Sequence, residues 1–231
     1  NRIQAFLYVY IARRADCVRV VSNSLKRRLI QAYGIEEVKL SVLPVYVDTP
    51  YFKTETNTKD LHKDFSFEYI VLMASRLSKE KNIQMALSAM KEVVDEDPTT
   101  GLLIVGDGKE RKKLEKMAKE LGIGGNVLFL GWVQDMRPYY HGADVFLSTS
   151  FYEGYGRTYI EALAAGTPVI ATDTGVAEEV GAEIIHNVVE ICKKIHEYKK
   201  SKKRGELHNY PFTNKEEYLN TFKKSLTRCF Y

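Results

Sequence analysis

Short runs of apolar residues recur through the middle of the chain, each followed by a longer stretch with helical spacing. Tyr69–Met73, Leu102–Val105, Val127–Leu130, Val145–Leu147 and Val169–Ala171 are apolar at every position. Between the first two, Ile83, Leu87, Met90, Val93 and Val94 recur at a helical period, which predicts a helix from Asn82 to about Glu96. Further helices are predicted over Gly108–Leu121, over Asp135–His141 and around Glu161. Strands that are apolar on both faces and joined by helices make a parallel sheet covered on both sides. The prediction is therefore an α/β, Rossmann-like domain that binds its ligand at the carboxyl ends of its strands.

The flanks read differently. Residues 1 to about 14 predict a helix and Cys17–Val21 a strand. A helix capped by Ser22, Asn23 or Ser24 runs to Tyr33 and stops at Gly34, and Lys39–Leu43 gives a short strand. Pro44 to about Lys63 is polar and irregular, a linker pattern. After Gly181 a helix is predicted from Ala182 to about Lys200, then a basic run, Lys199–Arg204, and a last helix from about Asn214 to Phe230. No internal repeat is visible.

Composition narrows the function classes. The chain has 231 residues, 45% of them hydrophobic and 28% charged, which is ordinary for a globular protein. A net charge of +4 is too mild for a nucleic-acid partner. No apolar run approaches the ~18 residues needed to span a bilayer, and no signal-peptide pattern is present. Cys17, Cys192 and Cys229 are odd in number and far apart, which argues against a disulfide framework or zinc site and for a reducing cytoplasm. The first residue is Asn1 rather than Met, which points to a fragment or processed form.

The candidate chemistry lies in two loops. Glu153 and Glu161 are eight residues apart, with Gly154 and Gly156 between them, Glu153 on a loop and Glu161 on the helix that follows. Glycines let backbone N–H groups approach a ligand, and the unpaired amides at a helix start attract anions. Either carboxylate alone would serve equally as a helix-capping group. Upstream, Arg76 and Lys81 flank the loop after the first strand of the alternation; Arg offers a planar fork for phosphate oxygens and Lys a mobile point charge. Such a set suits a sugar nucleotide, with a diphosphate in the middle and hydroxyls at both ends. Asp95-Glu96-Asp97 lacks a preceding strand and reads as a solvated turn, Gly122–Gly125 as a helix stop, and the five histidines show no ligand spacing.

These residues resemble the retaining GT-B glycosyltransferases, above all the family 4 group known as glycosyl transferases group 1. The similarity rests on Ser75-Arg76-Leu77 with Lys81-Asn82, Gly106-Asp107-Gly108, Val127–Gly131, Ala143–Phe146, and Glu153 to Glu161 followed by Gly166-Thr-Pro168-Val169. It covers about residues 67 to 181. The resemblance implies that Arg76 and Lys81 bind the donor diphosphate and that Glu153 faces the transferred sugar. Glu161 would accept hydrogen bonds from the ribose, and amides around Gly156, Arg157 and Thr158 would hold phosphate or sugar oxygens. Trp132 and Val133 would border the base. No metal and no cofactor is expected beyond a nucleoside-diphosphate sugar as donor.

On this reading residues 1–47 are the remnant of an N-terminal Rossmann-like domain and 48–66 a linker. Residues 67–200 form the nucleotide-sugar-binding domain and 201–231 a helical extension. The enzyme implied is a retaining hexosyltransferase in glycan biosynthesis, poorly active as this chain alone. Its acceptor would be a glycan or lipid-linked hydroxyl, and its location the cytoplasm, with peripheral contact to the inner membrane face through the basic run. Two departures stand out. Gly175-Val176 replaces a pair of glycines, and the chain passes from Gly181 straight into a helix where the family has a strand and an acidic turn. The alternatives are a sugar-nucleotide epimerase of GT-B fold and a non-catalytic nucleotide-binding or interaction module.

Overall fold

The computed structural model describes residues 2–55 and 60–227. In chain order the elements are α1 (Arg2–Arg14), β1 (Val18–Val20), α2 (Asn23–Tyr33), β2 (Leu40–Val42), α3 (Thr49–Lys53) and α4 (Leu61–Phe65). Next come β3 (Tyr69–Ala74), α5 (Ile83–Glu96), β4 (Thr100–Val105), α6 (Arg111–Glu120), β5 (Val127–Gly131), α7 (Arg137–Gly142) and β6 (Val145–Ser148). The last are α8 (Arg157–Ala164), β7 (Val169–Thr172), α9 (Ala177–Val180), β8 (Glu183–Ile185), α10 (Val188–Ser201) and α11 (Lys215–Thr227). They form two units, Asn1–Asp48 with Tyr210–Tyr231, and Thr49–Asn209.

The larger unit is built on a six-stranded sheet in the order β5-β4-β3-β6-β7-β8, every pair parallel. Parallel neighbours need crossovers, and these strands are joined through α5 to α9. Both sheet faces are buried, as the apolar runs require. Val71, Met73, Leu102, Ile104, Val145 and Leu147 point into one core with Leu87, Met90 and Val93 of α5 and Ile191 and Ile195 of α10. The alternate residues Ile70, Leu72, Leu103 and Phe146 face the other way and are equally buried. From β3 the strand order grows outward through β4 and β5, then jumps back to β6 and grows the other way. That reversal leaves a crevice at the carboxyl ends of β3 and β6.

In the smaller unit β1 and β2 pair in parallel and α2 lies beside them. Ser22 caps α2 by accepting the Leu25 amide, and Gly34 ends it in the left-handed region at φ +63°. The unit also holds α11, where the Tyr218 ring lies tilted against Tyr46 at 5.5 Å between ring centroids and Arg19 sits 4.6 Å over the Phe222 ring.

Three expectations need correction. The chain does not pass from Gly181 into a helix: Glu183–Ile185 forms β8, parallel to β7, and α10 begins only at Val188, capped by Asn187. A three-residue edge strand is too short to show a period. The polar stretch after Pro44 is not all irregular, since Asp60 caps α4 and Leu61 is buried. Cys17 is disulfide-bonded, whereas Cys192 is an unbridged, buried thiol. Separation along the sequence carries no information about distance in the fold, so the cysteine count no longer argues for a reducing compartment. The end of the last predicted helix, at Phe230, lies outside the described residues. Among the described residues no helix is long and apolar enough to cross a membrane.

Because Leu72 is wholly buried at the centre of the sheet, Leu72→Ala should cost about 2–5 kcal/mol in urea unfolding. Val189→Ala, at an exposed position of α10, should stay within about 0.5 kcal/mol.

Candidate functional site at the strand-order reversal

A pocket of 330 Å³ opens in this crevice. Its floor is Met73, Ala74 and Ser75 at the end of β3 and Phe146, Leu147 and Ser148 of β6; its rim carries Lys81, Glu153, Gly156, Arg157 and Thr158. Two loops supply the charged groups. The loop after β3 makes a single 3₁₀ turn, Lys79–Lys81, and leaves it through Asn82 at φ +46°. The loop after β6 clamps it: Thr149 Oγ1 donates to the carbonyls of Lys81 and Asn82 at 3.2 and 2.9 Å, and the Phe151 amide donates to Glu80 O at 2.8 Å. This clamp fixes where Lys81 points.

Lys81 Nζ lies 2.7 Å from Glu153 Oε1, and Ser150 Oγ donates to the same oxygen at 2.7 Å. The two charged side chains are 18% and 15% exposed. The pair is thus partly desolvated, and the cation best placed for an anionic ligand already holds a counter-charge.

The glycine-rich loop ends at Gly156, whose φ of +92° turns the chain into α8. The Arg157 and Thr158 amides have no preceding helical carbonyl and face the pocket rim, where an anion would meet the positive end of the helix. Gly175 supports this turn from behind. A Cβ there would stand 2.2 Å from Tyr155 O, so the close approach of these two loops requires glycine. The Val176 amide donates to the same carbonyl at 2.9 Å, a main-chain contact for which the second residue need not be glycine.

Glu161 lies one turn further along α8, 9% exposed. Its Oε2 accepts from Tyr140 Oη of α7 at 2.9 Å, and Oε1 is 3.7 Å from Arg157 Nη2. Burial raises its pKa, against the lowering influence of the Tyr140 hydroxyl and Arg157. Tyr140 is itself raised well above the usual phenol range by burial and by the Glu161 charge. A second buried phenol, Tyr159, joins Ser148 Oγ and Thr174 Oγ1 at 3.1 Å each, and burial pushes it up to about 12. Ser75 Oγ, on the pocket floor, is buried with no hydrogen-bond partner among the described residues.

The structure therefore brings Lys81, Glu153, Gly156, Arg157 and Thr158 to one pocket, with Glu161 behind Arg157. Arg76 is on the same loop as Lys81, exposed and outside the pocket lining. Trp132 and Val133 follow β5, two strands from β3; Trp132 is 77% exposed and neither lines the pocket. Sequence reasoning missed Tyr140, Ser150 and Ser75. Only Ser75 had a signal, its place at the end of an apolar strand. Asp144, in one of the matched motifs, is at the other end of the strands, before β6, where its Oδ2 accepts from the Ile70 amide at 2.6 Å. Asp97 is no solvated turn either: it accepts from Thr99 and Thr100 and pairs with Lys199. Among the described residues no group of three or more His, Cys, Asp or Glu is placed to hold a metal ion.

Comparison with known proteins shows the family and the fold. The family model described as Glycosyl transferases group 1 matches residues 56–204. The chain is 34% identical over 161 residues to alpha-monoglucosyldiacylglycerol synthase of Streptococcus pneumoniae, covering 66% of this chain and 36% of that protein. It is 33% identical to a GDP-mannose-dependent phosphatidylinositol monomannoside mannosyltransferase of Mycolicibacterium smegmatis, covering 73% and 47%. The chain thus spans less than half the length of these two curated relatives. Among solved structures, Anabaena HepE in complex with UDP-glucose aligns with a TM-score of 0.73 at 25% identity, over 85% of this chain and 58% of that one. Sucrose-phosphate synthase from Thermosynechococcus elongatus shares the fold with a TM-score of 0.75 at 24% identity, over 87% and 53%.

Glu161 gives a pH prediction. Its folded pKa is raised above the ordinary glutamate value of 4.5, so the folded state holds the proton longer than the unfolded chain. Stability should then fall as pH rises from about 4.5 through the folded pKa, with a slope of at most about 1.4 kcal/mol per pH unit. Glu161→Gln should flatten that decline in urea melts across this range. Tyr140→Phe, which removes the donor, should destabilise by about 1–3 kcal/mol near neutral pH and less in acid.

Proposed function

This chain belongs to the glycosyl transferases group 1, and we propose that it is the donor-binding half of a GT-B glycosyltransferase. The parent enzyme moves a hexose from a nucleoside-diphosphate sugar to an acceptor hydroxyl with retention of configuration. The observation that carries the reading is the pocket itself, in which Lys81, Glu153 and the amino end of α8 converge where the strand order reverses.

In this reading the diphosphate lies against the Arg157 and Thr158 amides and Lys81, with Arg76 swinging in from the exposed loop. The hexose lies toward Glu153 and the nucleoside toward Glu161, whose carboxylate accepts the ribose hydroxyls. Trp132 and Val133 border the base, and Ser75 Oγ supplies a donor that has no partner inside the fold. The cations stabilise the charge that grows on the departing diphosphate. The acceptor oxygen bonds to the anomeric carbon on the face that the diphosphate leaves, and its proton passes to the departing phosphate oxygen. Residues 67–200 carry this donor site, and residues 1–47 belong to the acceptor-binding half, most of which lies outside this chain. Transfer by the chain alone is therefore expected to be slow.

Isothermal titration with UDP, GDP and ADP tests the reading. One of the three is expected to bind, and Arg76→Ala, Lys81→Ala and Glu161→Ala should each weaken it by about 10- to 100-fold. No binding of any nucleotide by folded protein would favour an interaction module instead. For that second reading the relevant observation is the exposure of Leu7, Tyr8, Tyr10 and Ile11 along α1.

The Lys81–Glu153 pair adds a further prediction. A diphosphate must displace Glu153 from Lys81, so Glu153→Gln should bind the bare nucleoside diphosphate roughly two- to fivefold more tightly than the native chain. Equal or weaker binding by that variant would show that the pair imposes no competition.

A further inference from the structure

The opposite end of the strands holds a larger cavity, 590 Å³, at the amino ends of β3, β6 and β7. One wall is Tyr69, the first residue of β3; the facing wall is the end of α10 and the segment that follows. That segment is not a loose tail. Lys202 turns it at φ +49°, the Gly205 amide donates to Gly166 O at 2.9 Å, and the His208 amide donates to Val180 O at 3.0 Å. Arg204 donates from one guanidinium nitrogen to Ala165 O at 3.2 Å, which anchors it at the cavity. The strands put this cavity about 20 Å from the pocket described above, from six residues of β3 at about 3.3 Å each.

The charges around this cavity do not balance. Lys199 is paired with Asp97. Against four cations the lining holds two carboxylates: Asp144, which accepts from the Ile70 amide, lies 3.6 Å from His62 and feels the charges of Lys199 and Arg204, and Glu68, which accepts from Thr99 Oγ1 at 3.3 Å. Lys202, Lys203 and Arg204 line the cavity and form no salt bridge among the described residues. Tyr69 is an independent sign. It is 5% exposed, and its hydroxyl is buried with no hydrogen-bond partner among the described residues. Buried polar groups almost always have partners, and a donor beside an excess of cations calls for an anionic acceptor.

We propose that this cavity is a second binding site, separate from the donor pocket, for a phosphate-bearing anion held by Lys202, Lys203, Arg204 and the Tyr69 hydroxyl. A phosphate group supplies the several acceptor oxygens and the charge that this set of donors needs. The source is a soluble phosphate or the headgroup of an anionic lipid; the chemistry recognised is the same. The proposal is independent of what the donor pocket binds.

The experiment uses the full chain and three variants: Tyr69→Phe, which keeps the ring and removes only the hydroxyl, Lys203→Glu and Arg204→Gln. Inorganic phosphate is titrated with amide shifts followed by NMR, and co-sedimentation is measured with vesicles of phosphatidylcholine, alone or mixed with phosphatidylglycerol. Saturable shifts at Tyr69 and residues 202–204, weakened about threefold or more by Tyr69→Phe and about tenfold by the charge variants, are expected for a soluble phosphate. Co-sedimentation only with phosphatidylglycerol, with the same dependence on Tyr69, identifies the headgroup. Two results overturn the proposal: no binding in either arm, or vesicle binding lost in the charge variants and unchanged in Tyr69→Phe, the signature of a diffuse basic surface.

Discussion

Two strands that lie side by side while their successors run apart leave a gap that no crossover covers, and the larger unit depends on that constraint. β3 and β6 are neighbours, yet the chain leaves β3 toward β4 and β5 and leaves β6 toward β7 and β8. A sheet buried on both faces has its backbone groups paired and its side chains in the core, so chemistry has room only at the ends of the strands. The loops after β3 and β6 face each other across this gap and stitch themselves together through Thr149, Phe151 and Glu80. The stitching places Lys81 against Glu153, and the same loop, continuing through Gly156, sets the amino end of α8 beside them.

The electrostatics follow from this placement. Glu153 is compensated by Lys81 and Ser150. Glu161 is compensated by a buried phenol and by an arginine held at a longer distance. The two carboxylates therefore differ in what they offer a ligand. In the proposed reading the first gives up its cation when a diphosphate arrives, which frees it toward whatever the diphosphate carries. The second is buried and held by Tyr140. On that reading part of the binding energy of a diphosphate is spent on the first exchange.

Much of the sheet was legible because its strands are apolar on both faces, a pattern set by burial and independent of function. β8 was not legible: only Ile185 of its three residues is fully buried, and its place is fixed by pairing with β7. The short helices α3, α4 and α9 escaped notice because each is held by a cap or by tertiary packing. In the candidate site, the positions of Lys81 and Glu153 relative to the strands were legible; their ion pair was not, because 72 residues separate them. Tyr140 carries no mark of its contact with Glu161 until α7 and α8 are set side by side. Cys17 is the plainest case of a contact that sequence spacing hides.

The account stands or falls on where a diphosphate sits. Hydrogen–deuterium exchange of the chain with and without a saturating nucleoside diphosphate measures this directly. Slower exchange confined to residues 74–82 and 150–159, the two loops and the first turn of α8, is the predicted footprint. Protection centred elsewhere, or none under conditions where titration shows the nucleotide bound, would contradict the assignment of the crevice between β3 and β6 as the donor site.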